Sequence, residues 1–125
     1  MTDLRLQNAI RHQESGNLME AARLYSDIIR SDPKSFEALY RLGLIHFQTG
    51  RFADAERLFD IAVQSNPTMV DAFYARGCAM QQLMRHEDAL KLFAQALALR
   101  RDYLEVLNNR GVSLLALQRY EQALT

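Results

Sequence analysis

The sequence predicts an all-α fold of stacked antiparallel helix pairs, and three observations support this prediction. The chain repeats with a period of 34 residues, so that Gly43 recurs as Gly77 and again as Gly111. Pro33 and Pro67 lie one period apart, and each follows a polar pair where a helix would end. Within each period, apolar residues recur at the spacing of amphipathic helices. Because such a period is typical of stacked helical hairpins, the chain is expected to form a single domain, residues 1–125.

The second repeat is the most complete of the four that the period defines, which are 2–35, 36–69, 70–103 and the partial repeat 104–125. Its first helix is expected to bury Leu39, Leu42, Gly43 and His46, and its second Ala55, Phe59, Ala62 and Val63. A turn at Gly50 and Arg51 separates the two helices. We interpret the small Gly43 and Ala55 as positions where two helix backbones approach closely, with Phe59 filling the space beside them.

The third repeat departs from this pattern at two places. Met84 occupies the turn position of Gly50, where a left-handed residue without glycine would cost on the order of 1 kcal/mol. Arg101 replaces the expected proline, so the second helix is predicted to run almost unbroken into Asp102 and Tyr103.

The fourth repeat is predicted to stop midway through its second helix, without a polar cap. Its apolar end would then include Leu114, Leu117, Tyr120 and Leu124. We expect either a fragment of a longer array or an end covered by another chain, and self-association through these residues is one possibility.

Composition excludes several classes of protein. Hydrophobic residues make up 49% and charged residues 24%, which is ordinary for a globular domain. The 15 basic and 15 acidic residues balance, so neither nucleic acid nor an anionic membrane is an expected partner. The single cysteine cannot form an internal disulfide, and the first residues lack the apolar core of a signal peptide. The cytoplasm is the expected location.

The residues that carry the period resemble the tetratricopeptide repeat (TPR) family, in the form of a bacterial-type array. The matching residues of the second repeat are Leu39, Leu42, Gly43, His46, Ala55, Phe59, Ala62 and Pro67. The resemblance implies a right-handed α-solenoid of about three and a half units. It also implies a non-catalytic scaffold that binds a peptide or helical segment of another protein. An alternative is the substrate-recognition or oligomerisation arm of a larger enzyme such as an O-linked glycosyltransferase.

The face of each first helix opposite its buried stripe is the predicted binding groove, and concave grooves of TPR arrays use such faces. The predicted groove residues are Tyr40, Arg41, Leu44, Phe47, Gln48, Tyr74, Cys78, Gln81, Gln82, Asn108, Asn109 and Val112. The tyrosines and aliphatic residues would supply affinity, while the amide side chains would bond a peptide backbone. Packing of these residues on neighbouring hairpins is the competing interpretation.

An acidic residue recurs in the first turn of each first helix, at Asp3, Glu37, Asp71 and Glu105. This ladder would favour a basic ligand, although an acid there also complements the helix dipole, which is the preferred interpretation. The chaperone-peptide carboxylate clamp of some TPR proteins is absent, since the matching positions hold Leu6, Ile10, Arg41, Asp71 and Ala75. The asparagine ladder of the O-linked transferase superhelix likewise conforms only at Asn109.

No catalytic residue, metal ligand or cofactor site is predicted. His12 and His46 lie one period apart but on the buried stripe, and we interpret them as packed or half-buried rings rather than ligands. His86 is interpreted as an isolated turn residue, and Cys78 as a packing residue rather than a nucleophile. Arg76 and Arg110 are expected to bridge adjacent repeats rather than to bind phosphate.

Overall fold

The structure is a computed structural model that describes residues 4–124, and in this range it consists of seven α-helices and no strand. The helices are α1 (Leu4–Glu14), α2 (Leu18–Ser31), α3 (Phe36–Gln48), α4 (Phe52–Ser65), α5 (Val70–Gln82), α6 (His86–Leu99) and α7 (Leu104–Ala123). Helices α3, α5 and α7 begin 34 residues apart, as do α2, α4 and α6. Each helix packs on the next along the chain, and the first helices also touch one another. The predicted all-α repeat fold is therefore confirmed.

The interior of each hairpin is built on one small residue facing one aromatic ring. A Cβ atom added to Gly43 would lie 2.5 Å from Cε1 of Phe59, and Gly77 is equally close to Phe93. Both rings are fully buried, together with Ala55. The small residues predicted from the sequence therefore do set the spacing of α3 and α4.

A second set of buried contacts joins one hairpin to the next. Ala38 and Ile45 of α3 pack into the cluster formed by the first repeat, which contains Tyr25. Ala62 and Ala72 belong to one cluster between α4 and α5, as expected from the small side chain at position 62. The core is thus a row of similar clusters rather than a single centre.

The turns inside the hairpins use a left-handed backbone conformation. Gly16 and Gly50 have φ angles of 84° and 83°, and Met84 adopts the same region at 63°. The sequence-based expectation of a strained residue at Met84 is confirmed.

The expectation that α6 runs on into Tyr103 is wrong. Helix α6 ends at Leu99, and residues 101 and 102 form a turn. Arg100 is extended, with φ −147°, and resembles Asp32 and Asn66 at the ends of α2 and α4. The chain turns without proline because Val106, which is fully buried, and Tyr103 pack back on the third hairpin.

The predicted second helix of the fourth repeat is also not observed as a separate helix. Helix α7 continues without a break through Gln118 and Arg119, the positions that correspond to Gly50 and Arg51. Gln118 is not glycine, and only five described residues follow Arg119, too few to bury an apolar face that offsets a left-handed turn. As a result, a Cβ atom at Gly111 would meet nothing within 4 Å.

A buried polar cluster holds α7 against α5 and α6. Gln81 Nε2 donates to the Asn109 carbonyl at 2.8 Å and to Ser113 Oγ at 2.9 Å. His86 Nδ1 lies 3.1 Å from the same hydroxyl, whereas its Nε2 has no hydrogen-bond partner among the described residues. His86 is 7% exposed, so its interpretation as an isolated turn residue is wrong. The sequence pattern missed it because aromatic or aliphatic residues fill this position in the other repeats, at Leu18 and Phe52.

The two helical glycines Gly43 and Gly111 should respond oppositely to alanine. Gly43→Ala should destabilise the protein by about 1 to 3 kcal/mol, because the new methyl group meets the buried Phe59 ring. Gly111→Ala should stabilise it by roughly 0.5 to 1 kcal/mol, since alanine favours the helix and nothing obstructs its side chain. Urea unfolding followed by circular dichroism measures both. Two changes of the same sign would contradict the packing described above.

Met84→Gly should stabilise the protein by roughly 1 kcal/mol, because glycine adopts the left-handed conformation without steric cost. The Met84 side chain is 62% exposed, so little packing is lost. Gly50→Met is the matched reverse substitution and should destabilise. Thermal unfolding distinguishes the two, and a lower melting temperature for Met84→Gly would be inconsistent with strain at this turn.

Ser113→Ala should loosen α7 and cost about 1 to 3 kcal/mol, because one donor of Gln81 and the ring of His86 would lose a buried partner. Ser26→Ala is the control, since the Ser26 hydroxyl bonds only the Ala22 carbonyl of its own helix. Hydrogen exchange should accelerate in α7 for the first variant only. Equal protection of α7 in both variants would argue against the cluster as its anchor.

Candidate functional site

A pocket of about 260 Å³ lies on the first-helix face of the second and third repeats, where the predicted groove residues meet. Its lining residues are Tyr40, Leu44, Phe47, Phe59, Tyr74, Ala75, Cys78 and Tyr103. Five of these were predicted from the helical face alone. The pocket is therefore a mainly aromatic and aliphatic depression formed by α3, α4, α5 and the segment that leads into α7.

The groove tyrosines rest on the core rings of the hairpins. The Tyr40 ring lies 5.9 Å from Phe59, and the Tyr74 ring lies 6.1 Å from Phe93, between ring centroids. Tyr103 packs beside Tyr74 at 5.3 Å. The competing packing role therefore applies to both tyrosines, which also border the pocket. Their contact with a ligand stays a prediction.

The tyrosine hydroxyls are protonated over the ordinary pH range. Burial raises the pKa of Tyr40 and of Tyr74 to about 12. Burial also raises the pKa of Tyr103, and its hydrogen bond to Asp71 adds to this rise. These groups can therefore donate hydrogen bonds, but they do not act as bases near neutral pH.

Each described acid of the ladder lies near the groove, in a different environment. Glu37 pairs with Arg41 at 3.1 Å, which places the predicted groove residue Arg41 in an ion pair within its own helix. Asp71 Oδ1 accepts a hydrogen bond of 2.8 Å from the Tyr103 hydroxyl. The Glu105 side chain is exposed. Asp3 lies outside the described residues.

Two predicted groove residues have internal roles instead. Gln81 is 9% exposed, and its amide donates to α7, so the expectation that it bonds a peptide backbone is not supported. Asn109 Nδ2 donates to the Tyr74 hydroxyl at 2.8 Å and to the Glu105 carbonyl at 2.9 Å. Both amides fix the position of α7 relative to α5, a role that a single-helix pattern does not reveal.

The remaining predicted residues lie outside the pocket lining. Gln48, Gln82, Asn108 and Val112 are all exposed. They lie on α3, α5 and α7, the helices that carry the predicted groove. Their contact with a ligand stays a prediction.

Three lining residues were not predicted for the groove: Phe59, which was expected in the core, Ala75 and Tyr103. Of these, Tyr103 is the one that the repeat pattern could not indicate. It precedes α7 in the loop between repeats, and the corresponding positions hold Ser35 and Met69. Since neither is aromatic, the period gave no signal there. An aromatic residue just before a first helix, where the other repeats have none, is the feature that would have indicated it.

Two further residues that could carry chemistry, Cys78 and His46, are both partly buried. Burial raises the pKa of the Cys78 thiol, which disfavours the nucleophilic thiolate and fits a packing role. Burial likewise lowers the pKa of the half-buried His46. Residues 4–124 contain no group of three or more side chains able to hold a metal ion.

Arg76 bridges two repeats, as expected from the sequence. Its guanidinium lies 2.8 Å from Glu56 and 3.4 Å from Asp60 of the preceding helix. Arg110 is exposed and has no such carboxylate within the described chain, because Leu90 and Ala94 stand at the corresponding positions. The prediction is confirmed for Arg76 and wrong for Arg110.

The carboxyl-terminal helix exposes part of the predicted apolar end. Leu114 and Leu124 are exposed, whereas Leu117 is half-buried and the Tyr120 ring lies 6.2 Å from His86. Self-association through this face stays a prediction. Among residues 4–124, no helix is long and apolar enough to cross a membrane.

Three solved structures show how widely this architecture is shared. The first TPR of Spaghetti (RPAP3), bound to the HSP90 peptide SRMEEVD, is 24% identical with a TM-score of 0.88; the match covers 92% of this chain and 91% of that one. MamA is 22% identical with a TM-score of 0.86, over 98% of this chain and 70% of that one. A mutant O-GlcNAc transferase of Thermobaculum terrenum is 27% identical with a TM-score of 0.80, over 91% of this chain and 23% of the enzyme.

A search among curated proteins finds no match. A family model described as tetratricopeptide repeat matches residues 6–70 and 74–125. Because these segments span nearly the whole chain and agree with the seven-helix fold, the chain belongs to the tetratricopeptide repeat family.

Proposed function

We propose that this chain is a non-catalytic interaction module that binds an extended or helical segment of another protein in its groove. The observation that carries the proposal is the pocket where Tyr40, Tyr74 and Tyr103 meet. Tyrosine offers a large contact area with little conformational freedom to lose, and it tolerates water at its hydroxyl. The pocket would take one anchoring side chain of the ligand.

The flanking residues would hold the rest of the segment. Gln48, Gln82 and Asn108 are exposed on either side of the pocket, and their amides can both donate to and accept from a peptide backbone. Leu44 and Cys78 supply apolar contact inside it. A small pocket of this kind favours binding in the micromolar range, which corresponds to about 8 kcal/mol.

Larger hollows elsewhere on the surface are weaker candidates. One of about 370 Å³ lies between α2 and the end of α3, and its lining includes Met19, Thr49 and Arg51. It contains no residue with an aromatic ring other than His46. It therefore lacks the rigid aromatic anchors that typically dominate binding energy at protein interfaces.

The ligand chemistry need not follow that of the peptide-bound Spaghetti domain. The positions of the chaperone-peptide carboxylate clamp hold Leu6, Ile10, Arg41, Asp71 and Ala75 in this chain. Asp71 would repel a terminal carboxylate, and Arg41 is already paired with Glu37. We therefore propose a different mode of binding in the same groove.

A second candidate function is the substrate-recognition or oligomerisation arm of a larger enzyme. The similarity to the Thermobaculum terrenum transferase supports it, although this chain covers only 23% of that enzyme. The coding sequence around residues 1–125 distinguishes the two candidates. A glycosyltransferase domain there would favour the arm, and further repeats alone would favour the free scaffold.

Tyr74→Ala should weaken ligand binding by at least about 1 kcal/mol, because it removes an anchoring ring from the pocket. Short random peptides displayed on phage are selected against the whole chain. The affinity of the selected peptides is then measured as fluorescence anisotropy of labelled synthetic copies.

The control is Ile61→Ala on α4, an exposed residue that does not line this pocket. Circular dichroism confirms that both variants fold. Unchanged affinity for Tyr74→Ala, or equal losses in both variants, would remove the groove proposal.

A further inference from the structure

The charges around the aromatic pocket are unbalanced. Glu37, Asp71 and Glu105 stand at the first turns of α3, α5 and α7, the helices that form the groove face. The basic side chains nearby are Arg41, which pairs with Glu37, and Arg100, which pairs with Asp102. No basic side chain of the described residues lies within ion-pair distance of Asp71 or Glu105. Two negative charges are therefore left without a cation at the rim of the groove.

The carboxylate of Asp71 is hydrogen-bonded to a residue of the pocket wall. It accepts the hydroxyl hydrogen bond of Tyr103, whose ring lies beside Tyr74 and lines the depression. A carboxylate bonded by one neutral hydroxyl retains its charge and has further lone pairs free. The depression thus has apolar walls and a negative edge.

Arginine and lysine side chains match this combination. Their methylene stems pack on apolar and aromatic surfaces while the charged group reaches a polar edge. Tyrosine faces also attract cations through the ring quadrupole. The chain itself shows the contact, since the guanidinium of Arg100 lies 4.7 Å from the centroid of the Tyr103 ring. Arg100 pairs with Asp102 in the loop at 3.6 Å, and among the described residues no ion pair joins it to Asp71.

We infer that the groove selects a partner segment with a lysine or arginine, whose stem enters the pocket between Tyr40 and Tyr74 and whose cationic group lies at Asp71. This inference rests on the proposed peptide-binding function and adds the chemistry of the anchor residue. It also gives the acidic ladder a role beyond the helix dipole, because the dipole alone does not require Asp71 to contact a groove tyrosine.

The test uses the phage-selected peptides and a matched analogue. In each labelled peptide, the basic residue is replaced by norleucine, which keeps an apolar stem and removes the charge. The basic peptide should bind about tenfold more tightly than the analogue. That advantage should shrink as ionic strength rises from about 0.01 M to about 0.15 M, because the Debye length falls from about 30 to about 8 Å.

Three variants locate the effect. Asp71→Asn should remove most of the advantage of the basic peptide, while Glu87→Gln, which removes an equal charge on the exposed surface of α6, should leave it unchanged. Tyr103→Phe removes the hydrogen bond to Asp71 but keeps the Asp71 charge, so the preference should persist.

The possible outcomes distinguish the basic anchor residue from the peptide-binding function on which it rests. Peptides that depend on Tyr74 but bind as well with norleucine would overturn the basic anchor and leave the proposed function standing. Equal losses in Asp71→Asn and Glu87→Gln would also overturn it, because the effect would then reflect net charge alone. Absence of any peptide that depends on Tyr74 would overturn both.

Discussion

The close approach of two helices at a glycine is the constraint on which this structure depends. Where Gly43 and Gly77 face Phe59 and Phe93, no Cβ atom fits, so each hairpin locks one ring against one backbone. The buried ring then supports the groove side chain above it, as Phe59 does for Tyr40 and Phe93 for Tyr74. The position of the proposed binding surface is therefore a consequence of packing inside the hairpins. Because the core ring already restricts the tyrosine side chain, the tyrosine would lose little conformational entropy when a ligand packs on it.

The features that could be predicted from the sequence are those that each repeat determines by itself. The period, the hairpin turns and the small residues at the crossings depend on contacts within one unit, and the helical face was sufficient to find Tyr40, Leu44 and Tyr74. Contacts between units were less predictable. Gln81 lies on the predicted helix face. Its amide contacts protein because α7 places the Ser113 hydroxyl and the Asn109 carbonyl beside it, and the pattern of one helix does not indicate this. Tyr103 belongs to a loop that the helical periodicity does not describe.

The end of the array shows the same distinction between local pattern and tertiary context. Arg119 to Ala123 resemble the beginning of a second helix in the other repeats, yet they form the last residues of α7 without a break. A sequence pattern indicates where the chain can turn into a second helix. The helix pair itself forms only when the second helix is long enough to bury an apolar face against the first. Without that second helix, Gly111 faces open space, and the same residue type that fixes the other hairpins contributes only flexibility.

Helix α7 nevertheless completes the candidate site. The segment before it supplies Tyr103, and Asn109 of α7 donates a hydrogen bond to the Tyr74 hydroxyl, so the fourth repeat orients a wall residue of the third. The buried cluster at Ser113 holds this helix although its outer face has no neighbour within the described residues. The groove position at Tyr74 thus depends on the next repeat for its orientation. For this reason, loosening α7 is expected to alter the pocket before it unfolds the hairpins behind it.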